Sequence, residues 1–163
     1  MFISIGIDED GRPYITTSDG SREKVVRKGK GKSVIDFPST YTVLDIETTG
    51  LDPRYCEIIE ISAMKYSSGQ NIGTFSTLVK PSEPIDEYIT SLTGITNDML
   101  KSAPDISETM QKFYNFVGSD LIVGYNVNFD INFLYDNLLN CRSLILSNSF
   151  IDVMPVSYTH LTL

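Results

Sequence analysis

The alternation of apolar and polar residues changes character along the chain, and each change marks an element. "MFISIGI" alternates with a period of two, "DEDG" turns and "PYITT" returns, which predicts a β-hairpin over residues 1–20. "SREKVVRKGKGKS" breaks the alternation with Lys, Arg and Gly and reads as a flexible basic linker over residues 21–33. From Val34 the pattern is that of a compact domain. Residues 42–48, 57–66 and 71–81 are three strands separated by the turns "TGLDP" and "SSGQ", the third closed by Pro81. Short turns of this kind predict an antiparallel meander. "IDEYITSL" and "TNDMLKSA" are short helical pieces, the second with Thr96 as its N-cap. In "DISETMQKFYNFVG", Ile106, Met110, Phe113 and Val117 share one helical face, and Gly118 ends the run. "LIVGYN" (121–126) is a buried strand, "NFDINFLYDNLL" (128–139) an amphipathic helix and "FIDVM" (150–154) a last strand. The order β-β-β-α-β-α-β predicts an α/β fold with a mixed five-stranded sheet whose later strands run parallel to the first.

Composition narrows the class. At 163 residues, with 41% hydrophobic and 21% charged content, the chain is long enough for one domain with a real core. No apolar run reaches the roughly 18–20 residues of a membrane span, and the N-terminus has acids where an export signal needs bases. Cys56 and Cys141 form no C-x-x-C pair, so the chain reads as cytoplasmic, with reduced thiols and no membrane partner. A net charge of −8 argues at first sight against nucleic acid. The charge is uneven, however: Arg22, Lys24, Arg27, Lys28, Lys30 and Lys32 gather in one segment. Cations can also bridge an acidic surface to phosphate.

The candidate chemistry lies in "YTVLDIETTGL", residues 41–51. Strand alternation puts Val43, Asp45 and Glu47 on one face and Leu44 and Ile46 on the other, toward the core. Two ionised carboxylates side by side repel. A Mg²⁺ or Mn²⁺ ion between them removes that repulsion; so does a half-exposed strand with a solvated acidic face. The strand alone leaves both open. Asp130 falls in the first turn of the 128–139 helix, where the helix N-terminus favours a carboxylate with or without a metal. Asp52, Glu57, Glu60 and Asp136 read as turn or surface charges. Phe113, Tyr114 and Phe116 read as core rather than as base-stacking surface; Phe129 and Phe133, one turn apart, could do both, with core the first reading. "GKGKS" (29–33) imitates the end of a phosphate-binding loop, but Val26 stands where its first glycine should be, so it is set aside.

"DIETTGLDP", "EIIEISAMK", "LTGIT" and "GYNVNFDINFL", in that order, resemble the DEDD superfamily of 3′→5′ exonucleases, notably the epsilon-type and PolC-type exonuclease domains of bacterial DNA polymerase III. The likeness covers residues 40–156. It implies a ribonuclease H-like fold and metal-dependent removal of nucleotides from single-stranded 3′ ends. DNA is the leading substrate, RNA the alternative, and a DNA polymerase the implied partner. It implies two Mg²⁺ or Mn²⁺ ions held by Asp45, Glu47 and Asp130, which are also the catalytic carboxylates. Thr48 matches a contact to the 3′-terminal nucleotide; Leu92, Thr93 and Ile95 match a segment against the terminal bases; Asn126 is the Asn of the second motif. Asp152 matches a frequent family Asp outside the ligand set.

One motif of the superfamily is missing: a His or Tyr followed by Asp five or four residues later. His160 has no such Asp after it, and Thr162 stands where the Asp paired with Tyr158 would be. "VSYTHLTL" does not resemble the family's continuation. The expectation is therefore an exonuclease domain over 34–156 that is truncated at its C-terminus, a non-family tail over 157–163, and a chain with little or no activity alone. A non-catalytic nucleic-acid-binding module that kept the fold is the reading from another class.

Overall fold

The computed structural model describes residues 25–154, and the backbone of two strands before them. Those two, β1 (Ile3–Ile7) and β2 (Pro13–Thr17), pair antiparallel with Ile5 opposite Ile15, as the alternating N-terminus predicts. Tyr158, His160 and the tail lie outside the described residues.

The main sheet contains β3 (Thr40–Thr48), β4 (Ile58–Ser67), β5 (Gln70–Leu78), β6 (Leu121–Gly124) and β7 (Phe150–Asp152) in the spatial order β5-β4-β3-β6-β7. The meander β3-β4-β5 is antiparallel, and β6 and β7 join β3 in parallel. Four helices complete it: α1 (Glu87–Thr93), α2 (Asn97–Leu100), α3 (Ile106–Val117) and α4 (Val127–Arg142). Side-chain caps start three of them, from Asp86 for α1, Thr96 for α2 and Asp105 for α3, each accepting a backbone N–H of the first turn. Gly118 closes α3 in a positive-φ conformation, its N–H returning to the Tyr114 carbonyl.

The period-2 pattern of β3 decides which way the sheet faces. Thr42, Leu44 and Ile46 are buried, while Asp45 between them is exposed. Leu44, Ile46, Ile61, Ala63 and Ile122 pack against Met110, Phe113 and Val117 of α3 and Ile131, Leu134 and Leu138 of α4. Each fully buried side chain of this size contributes about 1.5–3 kcal/mol, so packing rather than propensity holds the two helices. Ile59, Ile85, Ile89, Ile95 and Leu100 form a second, smaller core under α1 and α2.

Several element ends differ from the sequence pattern, among them β5, which stops at Leu78, and β7, which stops at Asp152. β6 stops at Gly124 rather than 126 because Asn126 turns into the left-handed region (φ 52) and starts α4 one residue later. α4 runs on to Arg142, ended by Ser143 at φ 56.

The basic segment is the larger difference. Where a flexible linker is expected, residues 25–34 lie along α4 and β7. Arg27 grips Asp136 with two bonds, at 2.7 and 2.5 Å, and Lys30 Nζ sits between Asn128 Oδ1 at 2.6 Å and Asn132 Oδ1 at 2.8 Å. The Tyr135 hydroxyl donates to the Lys28 carbonyl at 2.6 Å. The chain then pairs with β7: the Phe150 N–H donates to Lys32 at 3.0 Å, and the Val34 N–H to Phe150 at 2.8 Å. A Cβ on Gly31 would stand 1.7 Å from the Asn148 carbonyl oxygen, so this approach needs glycine. Residues 128, 132 and 136 recur every four positions on one helical face, which is why a short basic segment can engage all three. Asp136 is therefore ion-paired rather than a free surface charge. Asp52 is likewise buried, at 6% exposure, and bonded to Arg54.

Candidate active site

The parallel strands β3, β6 and β7 end on the same side of the sheet, and the acidic residues collect there. β6 pairs with β3 only as far as Val43, so the Ile46 N–H has no strand partner on that side. Asp130 takes it: the Asp130 Oδ1 accepts the Ile46 N–H at 3.0 Å. A carboxylate from the first turn of α4 is thereby held against β3 at the residue between Asp45 and Glu47. Asp130 is only 4% exposed, Asp45 is exposed and Glu47 is half-buried.

The charged form is disfavoured at all three acids. Burial raises the Asp130 pKa to about 7, and the nearby Asp45 and Asp152 charges push the same way against the pull of backbone N–H groups. Burial also raises Asp45. Glu47 is raised by burial and then by the charges of Asp45 and Glu60. Glu60 stands directly opposite Glu47 across the β3–β4 ladder, a like-charge pairing that destabilises a sheet. Among the described residues no salt bridge reaches Asp45, Glu47, Glu60 or Asp130.

An oxygen-only set of carboxylates with no cationic side chain against them suits a hard divalent cation completed by water or phosphate oxygens. Among the described residues, however, no group of three or more His, Cys, Asp or Glu side chains gathers closely enough to enclose an ion by itself. Asp45, Glu47 and Asp130 therefore form no closed cage at this end of the sheet.

The remaining sequence-predicted residues divide. Asn126 holds the N-cap position of α4 with no side-chain cap bond. The Thr48 hydroxyl donates to the Gly50 carbonyl at 2.7 Å and so closes the turn after β3. On α1, Leu92 is 69% exposed, whereas Ile95 is buried in the second core. Thr93 is committed to its own helix, donating to the Ile89 carbonyl and accepting from the Ile95 N–H. Sequence reasoning missed Glu60 as a neighbour of the site. The register shift between Glu47 and Thr48 hides it, since counting back across the loop does not reveal which residue faces Glu47. Tyr125, directly after β6 and beside Asn126, is 57% exposed.

A mixed sheet of this order, with acids at the open ends of its parallel strands, defines a ribonuclease H-like architecture. The likeness extends to Escherichia coli exonuclease I solved with a dT13 oligonucleotide: TM-score 0.65 and 22% identity, over 77% of this chain and 30% of that one, a likeness of fold. The family described as Exonuclease, of the RNase T type, matches residues 42–162, and the chain belongs to it. The PolC-type DNA polymerase III of Clostridium perfringens is 40% identical over 121 residues, which are 74% of this chain and 8% of that protein. That of Bacillus subtilis is 40% identical over 120 residues, 72% of this chain and again 8% of the relative. The chain thus spans less than a tenth of these polymerases. No helix among the described residues is long and apolar enough to cross a membrane.

Proposed function

We propose that the chain carries the metal-binding carboxylates of a 3′→5′ exonuclease that acts on single-stranded DNA ends. The observation that carries the reading is the Asp130–Ile46 bond, which brings a helical carboxylate to the strand bearing Asp45 and Glu47. Asp45, Glu47 and Asp130 would hold Mg²⁺ or Mn²⁺. When bound, two such ions supply an acidified water for attack and neutralise charge on the departing 3′-oxygen. The chain's own residues do the rest. The Ile46 N–H fixes the orientation of Asp130, and the open side of Asp45 leaves room for the phosphate. Leu92 and Tyr125, both exposed, offer apolar surface to unstacked bases.

DNA is favoured over RNA because the PolC-type relatives are DNA polymerases by name and exonuclease I is solved with a DNA oligonucleotide. The same relatives suggest a DNA polymerase as partner. Beyond Asp130, no His or Tyr of the 163 residues is followed by Asp at the family spacing, so this chain alone should hydrolyse DNA slowly or not at all.

Calorimetric titration with Mn²⁺ tests the site: uptake is expected in the wild type and lost in Asp45→Asn combined with Asp130→Asn. Absence of uptake in the wild type would sink the reading. Matched 5′-labelled DNA and RNA oligonucleotides test direction and substrate. Any shortening should start at the 3′ end and favour DNA, and rapid digestion would refute the dependence on a missing general base.

A further inference from the structure

Asp152 ends β7, and its Oδ1 accepts two backbone N–H groups, from Asn126 at 2.9 Å and from Met154 at 3.0 Å. The first bond reaches across to the turn between β6 and α4. A second tie joins the same strands, from the Val153 N–H to the Gly124 carbonyl at 3.0 Å. The turn so held is an unfavourable one. Asn126 adopts φ 52 and ψ 33, a left-handed conformation that costs energy outside glycine, and its own side chain makes no capping bond. On the other side, the turn is pressed against β3. A Cβ on Gly124 would stand 2.7 Å from the Leu44 carbonyl oxygen and 2.8 Å from Val127 Cγ2. The chain therefore leaves the sheet through a fixed sequence of Gly124, Tyr125 and Asn126, clamped by β3 and β7. Helix α4 begins at the next residue, with Asp130 in its first turn. The direction in which α4 leaves that turn sets where the Asp130 carboxylate arrives, which is 3.0 Å from the Ile46 N–H.

We propose that Asp152 is a positioning residue for Asp130: it holds Asn126 in the left-handed turn that launches α4 and does not itself bind the cation. The idea rests on Asp130 as a cation ligand. What the turn needs is an acceptor for two N–H groups, not a negative charge. An Asn side chain in place of Asp152 can offer its amide oxygen to both donors. An Ala offers none, so Asn126 is free to relax and the first turn of α4 to shift.

Mn²⁺ titration of the full 163-residue chain separates the possibilities. Asp152→Ala should weaken Mn²⁺ binding by about 10- to 100-fold, the range for residues that orient ligands from behind. Asp152→Asn should recover most of that loss. Amide hydrogen exchange reads the turn directly: protection at Asn126 should fall in Asp152→Ala and persist in Asp152→Asn, with α3 unchanged in both. Unaltered affinity and protection in Asp152→Ala would overturn the proposal. An Asp152→Asn variant as weak as Asp152→Ala would also overturn it, since charge would then be the active property. If the wild type takes up no Mn²⁺, the cation reading fails by itself, and protection at Asn126 still decides the role of Asp152. If Asp152→Ala does not fold, the wild type suffices: a coupling across the hydrogen bond from the Asn126 amide nitrogen to the Asp152 carboxyl carbon is expected, and its absence refutes the clamp.

Discussion

The Ile46 amide donates to the Asp130 carboxylate at 3.0 Å across 84 residues of sequence, tying the acidic strand to the helix that completes the site. The bond steadies a carboxyl whose pKa is nonetheless about 7 against an ordinary value of 3.8, because burial outweighs the donor. Between those values the folded chain holds a proton that the unfolded chain releases. Stability from this group is complete below about pH 4 and is lost as pH rises through 7, by about 1.4 kcal/mol per unit of difference. Urea unfolding at pH 5 and pH 8 without divalent cations should show the wild type losing stability over this interval. Asp130→Asn should flatten the slope, and added Mn²⁺ should restore the wild type alone.

Relief of the Glu47–Glu60 confrontation should be visible without any substrate. Glu60→Gln removes one of the charges that raise Glu47, so the Glu47 carboxyl should titrate closer to the usual carboxylate range when followed by NMR. The cation-free chain should gain about 0.2–1 kcal/mol at neutral pH in urea unfolding. An unmoved Glu47 titration would contradict the facing geometry.

Arg27→Ala leaves the Asp136 carboxylate without its two-pronged partner in a site where both side chains are mostly covered, at 11% and 20% exposure. A loss of about 1–3 kcal/mol is expected in urea unfolding. The loss should persist in 1 M salt more than it would for an exposed pair.

Gly31→Ala should act more locally and more sharply. The added methyl meets the Asn148 backbone, which cannot swing aside like a side chain. Limited proteolysis should then cleave within residues 25–34 much faster than in the wild type, while hydrogen exchange in α3 stays as it was.

Much of this architecture can be read from local pattern. The two-residue period of 42–48 puts Leu44 and Ile46 inward, and the face shared by Met110, Phe113 and Val117 is the one that packs. Thr96 caps α2 as its side-chain chemistry suggests. These are near-neighbour effects, decided within a few residues. The unread part depends on partners that are remote in sequence. Lys and Gly between residues 21 and 33 suggest a loose linker because nothing nearby announces that Asn128, Asn132 and Asp136 will form a receptive row. Glu60 and Asp152 sit near the site only after strand pairing has set their register. For Asp130 the helix position can be read from sequence, whereas its burial and its bond to Ile46 emerge only from the packed sheet.

The docking of the basic segment also changes how this molecule meets polyanions. Arg27 and Lys30 are committed to internal acceptors, so the richest run of positive residues in an otherwise acidic chain is partly spent on itself. Under the proposed function, attraction of a DNA strand would then lean on divalent cations shared between protein and phosphate. Affinity should rise with millimolar divalent salt before ordinary monovalent screening weakens it, the reverse of the monotonic decline seen for proteins that grip DNA with lysine and arginine.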